Sequence, residues 1–204
     1  MNELKRSEPK VLGKSFYARG TDRVAKELLG KILVVGKTSG RIVETEAYHG
    51  DDPAAHFARG KTPRSAIMFG EPGVAYVYFI YGMYEMLNFV TEKKGCPGAV
   101  LIRALEPVSG EITMKKRRNQ LPQSQWTSGP GRLCRALGIR MKDNGRSLQG
   151  PRITVVDDGF HPQKICRTSR VGISKGLEHD WRFFIAENPY VSKSPLNQGA
   201  KAVS

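Results

Sequence analysis

Two β-prone runs separated by only two residues narrow the possible folds of this 204-residue sequence more than any other feature. The first run spans residues 74–81 and the second spans residues 84–90, with Gly82 and Met83 between them. A connection this short joins antiparallel strands, and a glycine at its first central position suits a type II′ turn. The sequence therefore predicts a β-hairpin with Gly82 and Met83 at its tip.

Other Val- and Ile-rich runs and capped segments extend this pattern along the chain. Residues 31–37 and 41–48 predict two strands joined by a Thr-Ser-Gly turn at 38–40. Residues 21–30 and 129–138 predict helices because each closes with a glycine. Further strands are predicted at 99–105, 153–156 and 181–186. This mixture of strands and helices favours the α+β class.

Length and composition predict one domain with polar ends. A chain of 204 residues lies near the size at which a single domain is expected. Residues 1–15 and 193–204 are polar, basic and poor in aromatic side chains. We therefore expect a flexible basic N-terminus at 1–15, one domain at 16–192 and a flexible tail at 193–204.

The first twenty residues and the cysteines bear on the compartment. No apolar run occurs among those twenty residues, so neither a secretory signal nor a membrane anchor is predicted, and we expect the protein to stay inside the cell. Cys96, Cys134 and Cys166 are odd in number and widely spaced. This spacing indicates reduced thiols and neither a disulfide framework nor a zinc site.

The charge balance points to an acidic partner. The chain has 33 Lys and Arg against 19 Asp and Glu, a formal net charge of +14. Such a surplus gives rapid, salt-sensitive association with phosphate backbones. RNA and anionic membranes would also attract it, and many basic surfaces are only well solvated. Charge alone therefore leaves the partner open.

Two carboxylates interrupt the second strand of the 31–48 pair. A period of two places Ile42, Glu44, Glu46 and Tyr48 on one face of that strand. A carboxylate in a mostly apolar strand is either paired or functional, unless that face lies in water. From the residues alone, these alternatives stay open.

Four of the seven tyrosines fall within nine residues, at positions 76, 78, 81 and 84. Tyr76 and Tyr78 share one strand face, whereas Tyr81 lies on the other face beside the turn. Packing is the ordinary explanation for such a strand. A wedge at a hairpin tip and a stacking ring at its base are also the parts that base flipping uses.

The order and spacing of several motifs resemble the alkyladenine (3-methyladenine, 3-methylpurine) DNA glycosylase family over about residues 16–192. The matching segments are Gly-Arg-Ile-Val-Glu-Thr-Glu-Ala-Tyr at 40–48, Ala-Ala-His at 54–56, Tyr-Val-Tyr-Phe-Ile-Tyr-Gly-Met-Tyr at 76–84, Asn88, Val-Leu-Ile-Arg-Ala-Leu-Glu-Pro at 100–107, Ser-Gly-Pro-Gly at 128–131 and Arg-Val-Gly at 170–172. The resemblance implies a compact α+β domain with a curved antiparallel sheet, surrounding helices and a protruding hairpin that wedges into DNA. It also implies a base excision repair enzyme that flips a damaged purine from duplex DNA and hydrolyses its N-glycosidic bond.

The same resemblance implies three catalytic positions. Glu46 would be the general base that activates a water for attack on C1′ of the flipped nucleotide, and Arg103 would help to hold that water. Val171 would contribute its backbone carbonyl as a third ligand of the water. Glu44 would be a supporting residue, and a structural ion pair is the alternative for Arg103.

The substrate pocket and the DNA contacts follow from the resemblance in the same way. Tyr48 and Tyr78 would stack on the damaged base, His56 would hydrogen-bond it, and Asn88 would exclude the amino group of guanine. His56 and Asn88 could instead be structural. Tyr81, Gly82 and Met83 would contact DNA, with Tyr81 filling the gap left by the flipped nucleotide. The basic run at 115–118 would contact phosphates or form a solvated face.

The matched set contains no lysine, so we expect a monofunctional enzyme without Schiff-base lyase chemistry. No metal and no cofactor are expected for this enzyme. It is expected to act as a monomer, in the cytoplasm near the nucleoid of a bacterium or in the nucleus of a eukaryote. His49 and Phe57 depart from residues common in the family and leave substrate preference open. A non-catalytic DNA- or RNA-binding module and a small-molecule nucleoside hydrolase are the alternatives considered.

Overall fold

A computed structural model describes residues 8–119 and 121–203 and shows one antiparallel sheet as its main element. Its strands are β1 (Lys10–Val11), β2 (Ile32–Val35), β3 (Thr38–His49), β4 (Ala75–Ile80), β5 (Tyr84–Val90), β6 (Gly98–Ser109), β7 (Ile153–Asp157), β8 (Ile165–Thr168), β9 (Arg182–Ile185) and β10 (Lys201–Ala202). The main path runs β1-β7-β2-β3-β6-β5-β4, and a branch runs from β3 through β9 and β8 to β10. The long strands β3 and β6 thus lie at the centre of a curled sheet.

Within the described residues, four α-helices lie around the sheet. They are α1 (Lys14–Tyr17), α2 (Thr21–Glu27), α3 (Glu111–Arg118) and α4 (Pro130–Leu137). Helix α4 begins at a proline and ends at Gly138, whose φ of 72° is the left-handed conformation typical of a C-cap. Both helices predicted from the sequence are confirmed, and so is the α+β class. No helix within 8–119 and 121–203 has both the length and the apolar character needed to span a bilayer.

The apolar core lies where α2 and α4 pack on the central strands. Val24 and Leu28 from the α2 region and Leu133 and Leu137 of α4 are completely buried. Ile102 of β6 is equally buried and belongs to the same apolar cluster. Burying a side chain of this size stabilises the fold by roughly 1.5–3 kcal/mol. The two central strands are therefore fixed firmly in place.

The predicted turn at 38–40 is wrong. Thr38 pairs with Val35, so the chain reverses at Gly36 and Lys37, and Gly36 has the positive φ of 56° that a tight turn needs. Gly40 lies inside β3, where an added Cβ would lie 2.9 Å from the Cβ of Leu105. The glycine at 40 therefore allows close strand packing and does not mark a turn.

The predicted hairpin is present as β4 and β5, but the type II′ turn is wrong. Ile80 pairs with Tyr84, and the Met83 N–H donates to the Ile80 carbonyl over 3.2 Å. Tyr81 and Gly82 are therefore the central residues of the turn, and both have positive φ, at 54° and 66°. A type II′ turn has positive φ only at its first central residue. The turn consequently projects Tyr81 and Met83 into solvent, 78% and 62% exposed.

Short strands occur within both predicted flexible ends. Lys10 and Val11 pair with β7, and Lys201 and Ala202 pair with β8. Residues 1–7 and 204 lie outside the described residues. The mobility of the segments at 1–15 and 193–204 stays a prediction.

Candidate active site

Two compensating irregularities in the pairing of β3 and β6 shape the site. Ile42 pairs with Leu105, but Glu44 pairs with Ala104, so β3 carries an extra residue between them. The next pair joins Thr45 to Ile102, so β6 carries an extra residue at Arg103. Bulges redirect side chains and often occur beside active sites.

The bulge corrects the face assigned to β3 from its period of two. Ile42 and Val43 both belong to the main apolar cluster, so Ile42 does not share a polar face with the two glutamates. Glu44 and Glu46 are themselves completely buried, which excludes a solvated face. Both carboxylates are paired with other groups of the protein. The sequence had left open whether they are paired, functional or exposed to water.

Glu46 receives three donors. The Val171 N–H donates to Oε1 over 2.7 Å, and the Tyr48 hydroxyl donates to Oε2 over 2.9 Å. Nη1 of Arg103 lies 3.3 Å from the same Oε2. Donors from β3, from β6 and from the segment at residue 171 thus hold this carboxylate in one position.

Glu44 is held by a different set of groups. Its Oε1 accepts from Nε of Arg103 over 2.9 Å, from Nε of Arg182 over 2.7 Å and from the Ser192 hydroxyl over 2.8 Å. Its Oε2 accepts from the Ser192 N–H over 2.8 Å. Burial acts to raise the pKa of Glu44, but the charges of Arg103 and Arg182 outweigh it and lower this pKa below its ordinary value. The two arginines and Ser192 thus favour the charged form of Glu44.

Arg103 joins the two carboxylates. Its Nε binds Glu44 and its Nη1 faces Glu46, and only 9% of its side chain is exposed. Burial acts to lower the pKa of Arg103, but the negative charges of Glu46 and Glu44 outweigh it and raise this pKa. The guanidinium therefore stays charged, and its contact with Glu46 makes it more than a partner of Glu44.

A cavity of about 270 Å³ opens beside these groups. Its walls include Tyr48, Ala54, His56, Phe57, Met68, Tyr76, Tyr78, Ile80, Tyr81, Met86, Asn88, Ala99, Leu101, Arg103, Pro130 and the segment 171–173. Nine of the ten residues proposed from the sequence for the site lie at this cavity or at the hairpin beside it. Glu46, the tenth, lies behind the wall, and its three partners, Tyr48, Arg103 and Val171, all line the cavity.

The two tyrosines proposed to stack on a base both line the cavity. Burial, followed by the charge of Glu46, raises the pKa of Tyr48 well above its ordinary value. Burial, followed by the neighbouring Tyr76, raises the pKa of Tyr78 to about 12. Both phenols therefore stay neutral at physiological pH. A guanidinium group lies over each ring, with Arg170 4.5 Å from the ring centre of Tyr48 and Arg64 4.9 Å from that of Tyr78.

His56 is fixed at the cavity by two aromatic neighbours. Its Nδ1 lies 3.0 Å from the Tyr76 hydroxyl, and its ring centroid lies 4.5 Å from that of Tyr78 in an edge-on arrangement. Burial, followed by the positive charge of Arg64, lowers the pKa of His56 to about 4. The imidazole is therefore neutral near pH 7 and can offer a hydrogen bond without adding charge.

Asn88 and the hairpin tip complete the set. Asn88 is 4% exposed, lines the cavity and donates from Nδ2 to the Tyr76 carbonyl over 3.2 Å. This amide is thus both bonded to backbone and placed at the wall. Tyr81 lines the cavity mouth as well, whereas Gly82 and Met83 lie only at the tip.

Comparison with known proteins identifies the class of this arrangement. The model of the family described as Methylpurine-DNA glycosylase matches residues 15–189. The chain belongs to the methylpurine-DNA glycosylase family. This assignment agrees with the resemblance seen in the motifs, and it makes DNA repair the setting of the site.

The similarity to other proteins of the methylpurine-DNA glycosylase family extends over nearly the whole chain. Proteins named "Putative 3-methyladenine DNA glycosylase" are 46% identical to it in Chlorobium luteolum, Rhodopseudomonas palustris strain BisB18 and Methanocella arvoryzae. The matches cover 89%, 89% and 90% of this chain and 96%, 90% and 96% of the respective relatives. The similarity is therefore not confined to one motif.

One buried ion pair of this glycosylase was missed by reasoning from its sequence. Arg170 binds both carboxylate oxygens of Asp52, and both side chains are completely buried. The Arg170 guanidinium also donates to the Ala47 carbonyl over 3.0 Å and lies 4.5 Å from the ring centre of Tyr48. Arg170 thus joins β3, the segment that leads to His56 and the segment that carries Val171. The Arg-Val-Gly motif was its only sequence signal.

The residues that depart from the family pattern have separate environments. Phe57 is buried and lines the cavity. His49 packs on Trp181, with ring centroids 4.4 Å apart. Of these two departures, Phe57 is the one that lines the cavity.

Proposed function

We propose that this glycosylase hydrolyses the N-glycosidic bond of a damaged purine in duplex DNA, with Glu46 as the general base. The observation that carries the proposal is the position of Glu46 immediately behind a cavity whose walls supply all three of its partners. A general base in this position is close to the sugar of a nucleotide whose purine is held between Tyr48 and Tyr78. The product would be an abasic site and the free base.

A carboxylate suits this reaction in two ways. N-glycosidic cleavage develops positive charge on the sugar, and a nearby carboxylate stabilises an oxocarbenium-like state. The same group can take a proton from the attacking water. Glu44 is unsuited to this role because four donors already occupy its two oxygens. Glu46 has fewer partners, and they lie toward the cavity.

The water must reach a carboxylate that is fully buried. One of the three partners of Glu46 therefore has to shift when the damaged purine enters the cavity. Catalytic hydrogen bonds often rearrange in this way on substrate binding. We propose that the segment that carries Val171 is the partner that shifts. Its N–H binds Glu46 in the free protein, and the carbonyl predicted from the resemblance would hold the water after the shift.

Base flipping is assigned to the hairpin. Tyr81 lies at the cavity mouth and is 78% exposed, so its ring is free to enter the gap that a flipped nucleotide leaves. Met83 lies beside it and is 62% exposed. Unstacking a base requires a few kcal/mol, part of which an inserted aromatic ring recovers.

The walls of the cavity restrict the class of base. Tyr48 and Tyr78 offer faces for an electron-poor or cationic purine, for which cation–π attraction contributes about 0.5–2 kcal/mol. The neutral His56 is available to hydrogen-bond the base edge. Asn88, held by the backbone, would oppose the exocyclic amino group of guanine. Alkylated and deaminated purines fit these requirements.

Hydrolysis without lyase chemistry is part of the proposal. Among the described residues, those that line the cavity include one cation, Arg103, and no lysine that could form a Schiff base. Reduction with borohydride should therefore fail to trap a covalent complex with DNA. We also propose that the enzyme acts as a monomer, which sedimentation would test.

An excision panel tests the function directly. Duplexes that each contain 3-methyladenine, 7-methylguanine, hypoxanthine or ethenoadenine are incubated with the protein, and released base and alkali-labile abasic sites are measured. We expect release of at least one of these bases and no strand cleavage before alkali treatment. Tight binding to these duplexes without release of any base would favour a non-catalytic binding module.

A further inference from the structure

One exposed cation lies over an aromatic wall of the proposed active site. The guanidinium carbon of Arg64 is 4.9 Å from the ring centre of Tyr78, and Tyr78 lines the cavity. At this distance the arginine and the ring attract each other as a cation–π pair. Tyr78 is also one of the two rings proposed to stack on the damaged purine. A bound purine and Arg64 would therefore share this ring.

The charge of Arg64 also acts on two neighbouring groups of the cavity wall. The ring centroids of His56 and Tyr78 are 4.5 Å apart, and those of Tyr76 and Tyr78 are 5.4 Å apart. Burial, followed by the charge of Arg64, lowers the pKa of His56. Burial raises the pKa of Tyr76, and the nearby Arg64 opposes this rise. Three adjacent groups of the wall thus lie close to the same cation.

The positive charge of Arg64 is not neutralised by an ion pair. Among the residues that the structure describes, no carboxylate forms a salt bridge with it. Arg103, which lines the cavity, instead lies beside Glu46. Arg170, which lies over Tyr48, is paired with Asp52. A carboxylate next to an arginine reduces its effect on a third charge, so Arg64 is the arginine with the strongest effect on a charged ligand.

The backbone beside Arg64 is anchored. The next residue, Ser65, is completely buried, and its hydroxyl accepts from the Thr62 N–H over 2.8 Å. The Ser65 N–H donates to Oγ1 of Thr62 over 3.2 Å, and the Ala66 N–H donates to the Thr62 carbonyl over 2.8 Å. This turn fixes the position from which the Arg64 side chain reaches Tyr78.

We propose that Arg64 is a specificity-determining residue that makes the cavity favour neutral damaged purines over cationic ones. The proposal rests on the function proposed above, because it takes a damaged purine as the ligand. A purine nucleotide methylated at N3 or N7 carries a positive charge, whereas a deaminated purine such as hypoxanthine is neutral. The guanidinium already on Tyr78 would repel a cationic purine stacked on that ring, which offsets the cation–π attraction. A neutral purine keeps its stacking and meets no such repulsion.

The test uses two duplexes that contain either cationic 7-methylguanine or neutral hypoxanthine. Both lesions are placed on a 2′-fluoro sugar, which makes the glycosidic bond resistant to hydrolysis, and equilibrium affinities are measured. Each affinity is divided by the wild-type value for the same duplex, so that other differences between the two bases cancel. In Arg64→Gln, the affinity for the cationic base relative to the neutral base should rise roughly threefold to tenfold. Arg64→Lys keeps the charge and should stay much closer to the wild-type ratio.

Arg59→Gln is the matched control. It removes the same charge from an exposed residue of the same segment, and no ring contact of Arg59 occurs within the described part of the chain. This variant should bind both duplexes more weakly by the same factor, which leaves the ratio unchanged. Arg64 is itself exposed, so its substitution does not endanger folding. An unchanged ratio in Arg64→Gln, or an equal rise in Arg59→Gln, would overturn the proposal.

The two proposals fail in different ways. The affinity ratio tests the role of Arg64 without any excision, whereas base release from duplexes with ordinary sugars tests the activity. A raised ratio in Arg64→Gln, together with a wild-type protein that releases neither base, would support the role of Arg64 and overturn the proposed activity. Base release by the wild-type protein with an unchanged ratio in Arg64→Gln would overturn the role of Arg64 alone.

Discussion

The hydroxyl of Tyr48 donates a hydrogen bond to Oε2 of Glu46 over 2.9 Å, and the ring of the same tyrosine forms a wall of the cavity. The Arg170 guanidinium packs on this ring, 4.5 Å from its centre. Tyr48 therefore connects the proposed base to the substrate surface. Its hydroxyl orients the carboxylate, and its ring would contact the damaged purine.

Tyr48→Phe separates these two roles. The ring and its packing remain, but Glu46 loses one donor, so we expect the single-turnover excision rate to fall by roughly tenfold to a hundredfold, about 1.5–3 kcal/mol. Affinity for lesion DNA should change much less because stacking is retained. Tyr78→Phe is the control, because its hydroxyl makes no bond to Glu46. A wild-type rate in Tyr48→Phe would show that the hydroxyl does not orient the base.

Glu44→Gln should affect stability more than chemistry. The substitution leaves Arg103 and Arg182 buried against a neutral amide, and loss of one member of a buried ion-pair network destabilises by about 3–5 kcal/mol. Urea unfolding measures this change in the free energy of unfolding. Glu27→Gln is the control, since its partly exposed ion pairs should contribute less than about 1 kcal/mol. Equal stability of the two variants would contradict the structural role of Glu44.

Arg170→Lys tests whether the geometry of the guanidinium positions the Val171 segment. Lysine can keep the ion pair with Asp52, but it cannot stack flat between Tyr48 and Trp181. We expect a loss of stability of about 0.5–2 kcal/mol, faster hydrogen exchange in residues 170–176 and a lower excision rate. Unchanged exchange in that segment together with a wild-type excision rate would show that the charge alone suffices.

The low pKa of His56 predicts a specific pH dependence. Its value of about 4 lies below the ordinary 6.5, so the folded protein binds this proton less tightly than the unfolded chain does. The contribution of His56 to stability is therefore complete above pH 6.5 and is lost as the pH falls from about 6.5 to about 4. In Arg64→Gln, the pKa of His56 measured by NMR titration should rise but stay below 6.5, because burial is the larger cause of the low pKa. A shift downward would exclude Arg64 as a cause.

Much of the sheet was predictable because its strands carry local signals. The hairpin of β4 and β5, the central strands β3 and β6 and the capped helices α2 and α4 all follow from runs and caps within a few residues. Strand β8 (Ile165–Thr168) and helix α3 (Glu111–Arg118) were missed. The first is only four residues long, and the second is so rich in charge that it shows little apolar face.

The site was harder to predict from local sequence patterns than the fold was. The bulges at Val43 and Arg103 change which side chains share a face, and a period of two cannot reveal them. Asp52 and Arg170 are separated by 118 residues, so their pairing depends on the tertiary structure. The turn at Gly36 and Lys37 was predicted too late in the chain, at 38–40, because Gly40 resembled a turn residue. Gly40 instead allows close packing against Leu105.

Glu46→Gln gives the most direct test of the proposed chemistry. The amide keeps the shape of the side chain but removes the charge that would activate water and stabilise the sugar cation. Single-turnover excision and equilibrium binding are measured on the same hypoxanthine or ethenoadenine duplex. We predict that the variant binds this duplex with nearly wild-type affinity and loses excision. Excision at the wild-type rate would contradict the assignment of Glu46 as the base.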